Sequence, residues 1–383
     1  MIFVTLMAEA TQPSAKRSVT IGIPVEYFLI GDVGAKHDLQ VAKKEVWAAT
    51  AQRIKSEDSL LEFIAQLKEL SPVFVTGSSG FLGAALVETL RLHDIRTFGI
   101  DLVEAPTTDF IGCVSDVEIL RKATNQSCCE SVVHTAALHA PNLDYYPESE
   151  FERINVQGMH NVLMIAEEFN MKAIVFSSTT SLMITNDVKL REEKHERVVL
   201  KQSVDYGTPR NIYGVTKKAA ERICLDNDKL NIGILRCSRF FVEDVFDTSA
   251  NPSERSIKKP NGNVKANEML SGLRASLEDT VMAHLVTLVR ISKETGTKSG
   301  NKIGPLIVSS ISPLLYNSFD ISVATESSLY KTLDWSIADH TPRIYDSRDT
   351  WKTLNLSPKW DFERLVREFE EGKNVEAIKK GRF

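Results

Sequence analysis

Tyr213 and Lys217, in the run Tyr213-Gly214-Val215-Thr216-Lys217, stand one helical turn apart, so on a helix both project from the same face. Taking hydride from a carbinol carbon requires a base for the hydroxyl proton. A phenol holds its own proton too tightly at neutral pH to serve, but a neighbouring ammonium favours the phenolate. Pairs at this spacing also arise on helices by chance, so their surroundings decide their meaning. Upstream, Ala173-Ile174-Val175-Phe176 reads as a strand that runs into the hydroxyl cluster Ser177-Ser178-Thr179-Thr180-Ser181. That cluster lies at the carboxyl end of its strand, where open parallel sheets bind ligands. Most of these hydroxyls are expected to satisfy a turn, leaving Thr179 to orient a substrate oxygen against the tyrosine.

A partner for such hydride chemistry is legible further back. Pro72-Val73-Phe74-Val75-Thr76-Gly77-Ser78-Ser79-Gly80-Phe81-Leu82-Gly83 reads as a buried strand turning through three glycines into a helix. Gly77 permits the tight turn, Gly80 lets the backbone approach a pyrophosphate, and Gly83 lets the helix pack on the strand. The pyrophosphate then sits on unpaired N–H groups at the positive end of the helix dipole. A second strand, Thr97 to Ile100, ends in Asp101, eighteen positions after Gly83. A carboxylate there bonds the ribose hydroxyls of NAD and repels the extra phosphate of NADP. Lys217 is also placed to bond the nicotinamide ribose.

These residues need a scaffold, and the chain alternates strands and helices to supply one. Strands are expected at 73–75, 97–100, 131–134, 173–177, 232–237 and 305–309. Helices are expected after Gly80 and at about 150–169, 213–225, 279–290 and 362–369. Short apolar strands in β-α alternation predict an α/β fold, a doubly wound parallel sheet of Rossmann type. Three regions are expected: a helical N-terminal extension over 1–70, an NAD-binding domain over 71–240, and a smaller α/β substrate-binding domain over 241–383, some of which returns to the Rossmann core. The extension shows amphipathic spacing over 38–51 and 59–70, with Ser59 and Glu62 as a capping box. A polar stretch at 251–263 opens the last region.

Together, Gly77-x-x-Gly80-x-x-Gly83, Asp101, Asp116, Thr135-Ala136-Ala137, Asn155-Val156-x-Gly158, the hydroxyl cluster and Tyr213-x-x-x-Lys217 resemble the extended short-chain dehydrogenase/reductase superfamily over roughly 72–239. They are most similar to its NAD-dependent epimerase/dehydratase branch, which includes the UDP-galactose 4-epimerases. The resemblance implies Tyr213 as catalytic acid/base, Lys217 as its partner and Thr179 as the third member. It implies NAD contacts from Gly77, Ser79, Gly80, Phe81, Leu82, Gly83, Asp101, Asp116, Val117, Ala136, Ala137, Asn155, Tyr213 and Lys217. The implied activity is oxidation and reduction, epimerisation or dehydration at a secondary alcohol of a polar, sugar-like small molecule. The alternative is an NAD-binding sensor or scaffold without chemistry. Relatives of this kind pair as homodimers, here through 150–169, with Val162, Leu163, Ile165 and Phe169 as apolar surface, and the Tyr213 helix.

The chain departs from the branch where a nucleotide diphosphate is held. Arg239 stands near the place of an expected asparagine, Ser276 in that of a histidine, and Arg274 near but not on an expected arginine. Arg239 with Arg274 forms a candidate clamp for a phosphate or carboxylate, the competing expectation being surface ion pairs with Glu243 or Asp279. His139 is a candidate for the nicotinamide end of the site. His134 and His139 lack metal-ligand spacing, so no metal is expected. Asp144, Asp205 and Asp279 read as solvated or capping residues.

A net charge of −5 without a long basic run argues against nucleic acid or an anionic membrane as partner. The five cysteines show neither C-x-x-C spacing nor a disulfide framework. With no apolar run of membrane-spanning length and no basic, apolar leader, the expected compartment is the cytoplasm.

Overall fold

The computed structural model describes residues 50–52, 61–240, 262–293, 300–316, 321–337 and 343–379. Residues 38–49 of the expected helix over 38–51, the Ser59 end of the capping box, Glu243 and most of 251–263 lie outside them. Helix α1 (Leu61–Lys68) precedes the first strand.

Seven strands form one sheet: β1 (Val73–Thr76), β2 (Thr97–Asp101), β3 (Phe110–Ile111), β4 (Ser131–His134), β5 (Ala173–Thr179), β7 (Ile232–Cys237) and β10 (Lys302–Val308), in the spatial order β10-β7-β5-β4-β1-β2-β3. Every neighbouring pair is parallel. The strands are buried by helices on both faces, which is why β1, β4 and β5 read as apolar runs rather than alternations. The chain winds outward from β1 to β3, then restarts beside β1 at β4 and winds the other way. That reversal opens a crevice at the carboxyl ends of β1 and β4, the position where doubly wound sheets hold ligands.

Helices α2 (Phe81–Leu92), α3 (Val117–Ser127), α5 (Gly158–Glu168), α7 (Ile212–Asp226) and α9 (Leu277–Lys293) cover this sheet. One core packs α2 and α9 on one face, and the other packs α3, α5 and α7 on the opposite face. Thus α9 and β10, from the last third of the chain, belong to the main sheet layer. A third cluster joins α8 (Gly262–Leu270), α11 (Ser328–Leu333) and α13 (Phe362–Glu370).

The single helix expected at 150–169 is broken into α4 (Glu148–Phe151), a π-helical turn (Glu152–Gln157) and α5. A Cβ on Gly158 would stand 2.7 Å from Val114 Cγ2, so glycine allows α5 to lie close to that loop. Val162, Leu163 and Ile165 were expected to offer an apolar surface, and they are instead buried in the core beneath the sheet, while Met164 faces outward. Asp279 also departs from expectation: it is buried, accepting from Lys359 N at 2.8 Å and Trp360 N at 3.2 Å, which anchors the approach to α13. Burial pushes its carboxyl up to about 6. Two short parallel pairs were not foreseen, β6 (Val198–Lys201) with β11 (Arg343–Asp346) and β8 (Arg239–Phe240) with β9 (Arg274–Ala275). β8 and β9 are two residues each, too short to mark a strand in sequence.

Candidate active site

At the end of β1 the chain turns at Gly77, whose φ of +71° lies in the left-handed region. A Cβ there would meet Ala136 N at 2.7 Å, and one on Gly83 would meet Gly77 O at 2.1 Å. Glycine is therefore required at both positions for the turn to nest against the β4 turn and for α2 to sit on β1. Helix α2 opens at Gly80 with no side-chain cap and no acidic residue in its first turn. An uncapped helix start beside a glycine turn fits a dinucleotide pyrophosphate, with the backbone of Ser79, Gly80, Phe81 and Leu82 around it. Asp101 ends β2 beside this turn: Oδ2 accepts from Ser79 N at 2.9 Å and Oδ1 from Leu102 N at 2.7 Å. Its carboxylate is thus fixed beside the glycine turn.

The other expected cofactor residues divide into two groups. Ala136 and Ala137 line the half-buried turn after β4, held to β1 by Ala136 N donating to Thr76 Oγ1 at 3.3 Å and by Thr135 Oγ1 donating to Thr76 O at 2.6 Å. Asp116 and Val117 start α3, with Asp116 Oδ1 capping it through Glu118 N and Ile119 N. Asn155, expected as a cofactor contact, is buried, its Oδ1 accepts from Leu138 N at 2.8 Å, and its Nδ2 donates to Leu138 O and to Thr216 Oγ1, each at 3.1 Å. Both ends of the amide are engaged by protein, so Asn155 ties the β4 turn to α7. The sequence run Asn155-Val156-x-Gly158 marked the residue as special, but nothing in it tells a ligand contact from a tie across 61 positions.

Helix α7 starts at Asn211, whose side chain accepts from Gly214 N at 2.9 Å. Gly214 lets this first turn press on Pro209 and Ser181, since a Cβ would stand 2.7 Å from Pro209 Cβ. Tyr213 therefore faces the end of β5, where the Thr179 hydroxyl exerts a downward pull on its phenol. Thr179 Oγ1 in turn accepts from Ser181 N at 3.1 Å. One turn on, Lys217 Nζ donates to Ser177 O at 2.5 Å and lies 4.2 Å from the centre of the Phe176 ring. All three side chains are buried. Burial pushes the phenol up to about 12, against a downward pull from Thr179, and pushes the ammonium down to about 8. The expectation that the ammonium depresses the phenol is not met in this arrangement: Lys217 is directed to the strand carbonyl, and Tyr213 is a neutral phenol at pH 7.

His134 is buried at the end of β4, bonded through Nδ1 to Thr76 Oγ1 at 2.7 Å and stacked on Phe176. Burial, reinforced by Lys217, lowers it to about 3, so it stays neutral. His139 is exposed and stands edge-on to Tyr213, with ring centres 6.0 Å apart. Arg239 and Arg274 are register partners in β8 and β9 and share Glu268. Glu268 lies on α8, 29 residues from Arg239, whereas Glu243 lies outside the described residues. Arg274 is fully buried, whereas the Arg239 side chain is 70% exposed, so a clamp in which both arginines face a ligand is not formed. Among the described residues, no group of three His, Cys, Asp or Glu side chains is placed to hold a metal, and no helix is long and apolar enough to cross a membrane.

The sequence model of the NAD dependent epimerase/dehydratase family matches residues 73–265, half of the chain. A decarboxylating sterol-4-alpha-carboxylate 3-dehydrogenase of Candida albicans is 28% identical over 196 residues, covering 45% of this chain and 52% of that protein. An N-acetyl-alpha-D-glucosaminyl-diphospho-ditrans,octacis-undecaprenol 4-epimerase of Escherichia coli O157:H7 is 31% identical over 154 residues, covering 39% and 42%. The chain thus spans about half the length of the curated relatives it matches. A short-chain dehydrogenase/reductase superfamily protein from Agrobacterium tumefaciens, solved with bound NAD, superposes with a TM-score of 0.53 at 18% identity, covering 81% of this chain and 99% of that one. At that identity the likeness establishes the fold.

Proposed function

This chain belongs to the NAD dependent epimerase/dehydratase family, and from that premise we propose that it moves hydride at a secondary alcohol of a polar small molecule, using Thr179, Tyr213 and Lys217. NAD is the family's cofactor, and when bound it supplies the hydride acceptor and donor. The carrying observation is the continuous link from the glycine turn to the catalytic helix: Gly77 against Ala136, Leu138 to Asn155, and Asn155 to Thr216, the neighbour of Lys217. On reduction the neutral Tyr213 phenol donates its proton to the substrate oxygen, and on oxidation it is the phenolate that takes the hydroxyl proton back, with Thr179 orienting that oxygen. Because burial holds the phenol neutral, Tyr213 is set as a proton donor first; Lys217, charged at pH 7, supplies the positive field that a phenolate needs. The backbone at the start of α2 binds the pyrophosphate and Asp101 the ribose.

Relatives named as a sterol dehydrogenase and as a sugar-lipid epimerase support chemistry at an alcohol and leave open whether the alcohol is carried on a steroid or a sugar. A sugar-like substrate remains our reading, with Arg239 and His139 as its contacts and the region after 240 as the part that covers it. We further propose a homodimer through α5 and α7, where Met164 and Val215 are exposed, with the protein in the cytoplasm. Cofactor released from purified protein is expected to be NAD, and a screen of sugar nucleotides and simple alcohols is expected to find turnover that Tyr213→Phe removes. Protein that binds no NAD, or a fully active Tyr213→Phe, contradicts the reading. Sedimentation equilibrium showing only monomer at micromolar concentration contradicts the dimer.

A further inference from the structure

The carbonyl that holds the Lys217 ammonium belongs to the peptide joining Ser177 and Ser178, and both hydroxyls of that peptide are anchored. Ser178 Oγ donates to Glu221 Oε1 at 2.5 Å, and Glu221 is held by Arg236 of β7 at 2.7 Å. Toward α9, Ser177 Oγ lies 2.7 Å from His284 Nε2. The direction of that second bond follows from the chemistry. His284 Nδ1 is 2.7 Å from Thr280 O, and a carbonyl only accepts, so Nδ1 carries the proton. Burial keeps the ring neutral, lowering it to about 4, which leaves Nε2 a lone pair that receives the serine proton. Glu221 is two turns along α7 from Tyr213, and α9 packs on the other face of the sheet, so one peptide is held from both faces.

We propose that the Ser177–Ser178 peptide is a two-sided clamp that fixes Lys217 beside Tyr213, with Ser177 and His284 as its positioning residues. This inference rests on the proton-transfer reading of Tyr213 and Lys217. Ser177, Ser178, Glu221 and His284 are all buried, so the bonds are shielded from water and hold the carbonyl in one direction. An ammonium whose acceptor is held still is stabilised in its charged form, and one whose acceptor wanders is not. The other groups that act on Lys217 are Glu221 and Cys224 on α7 and Cys237 on β7, with His134 and His139 near β4. None of them is altered by substitutions at 177 or 284.

The test is the lysine side-chain NMR titration of the full chain carrying 13C-labelled lysine, with Lys217 assigned by the signal that Lys217→Met removes. The wild-type midpoint is expected near 8. Ser177→Ala and His284→Leu are each expected to lower it by about one pH unit. His284→Gln, which restores an acceptor to the serine, is expected to leave it in place. A shift in only one of the first two variants, a shift in neither, a shift in His284→Gln, or no titrating signal lost in Lys217→Met overturns the clamp. A fully active Tyr213→Phe overturns the underlying reading and the clamp with it, whereas an inactive Tyr213→Phe beside unshifted Ser177→Ala removes the clamp alone.

Discussion

The glycine turn after β1 and the arginine pair of β8 and β9 treat their polar groups in opposite ways. The turn keeps the start of α2 uncapped by its own N-cap side chain and free of acidic residues, a backbone shape suited to the anion of the family's cofactor. The arginines are folded onto Glu268, one of them wholly buried, so most of that charge maintains the protein itself. A shared cofactor demands a backbone shape, which sequence records as glycines at fixed spacing. A private substrate demands side chains from distant segments, and their pairing is recorded nowhere in a local motif.

Substitutions can sharpen or break this contrast. The largest effect is expected for Tyr213→Phe, which removes the proton donor and leaves the cradle alone. Turnover should fall by about 10²–10⁴-fold with NAD stoichiometry unchanged, as read by steady-state kinetics and chromatography of the released cofactor. Gly83→Ala attacks the cradle itself, since its Cβ would lie 2.1 Å from Gly77 O. Affinity for NAD should drop more than about tenfold and stability by about 1–3 kcal/mol, measured by calorimetry and denaturant melts. The arginines should separate: Arg274→Ala leaves Glu268 short of its buried partner and costs about 3 kcal/mol, while Arg239→Ala changes stability by under about 1 kcal/mol and raises the substrate KM. Equal stability losses in the two variants would erase the distinction drawn between them.

The smallest effect concerns acid. His134 and His284 titrate at about 3 and 4 in the folded protein against an ordinary value of 6.5. Below 6.5 the unfolded chain takes up protons that the folded one refuses. Their contribution is therefore complete above that pH and is lost as the pH falls toward 4, by up to about 1.4 kcal/mol per unit for each ring. Denaturant midpoints measured across this window should fall for wild type and fall less steeply for His284→Gln.

The fold was legible because β1, β4 and β5 are buried on both faces and so stand out as apolar runs, each ending in the polar residues that face the crevice. Tyr213, Lys217 and Thr179 were legible because their spacing and their place at strand and helix ends carry chemical meaning. That Asn155 ties two segments was not legible, because a buried amide in that part has the same letter and neighbours as one that meets a ligand. His284 gave no signal at all, being a single histidine inside an apolar helix, 107 residues from the serine whose hydrogen bond it accepts. The ammonium's orientation toward Ser177 O also escaped, since spacing fixes the face on which Lys217 lies but not the group it meets.

The central claim is that Tyr213 transfers a proton beside the nicotinamide of a bound NAD. A crystal structure of the NAD complex tests it most directly. The expected result places the Tyr213 phenol oxygen within about 4 Å of the reacting edge of the nicotinamide, with the pyrophosphate at the start of α2 and the ribose on Asp101. A nicotinamide bound away from Tyr213, or a cofactor held elsewhere on the sheet, would contradict it.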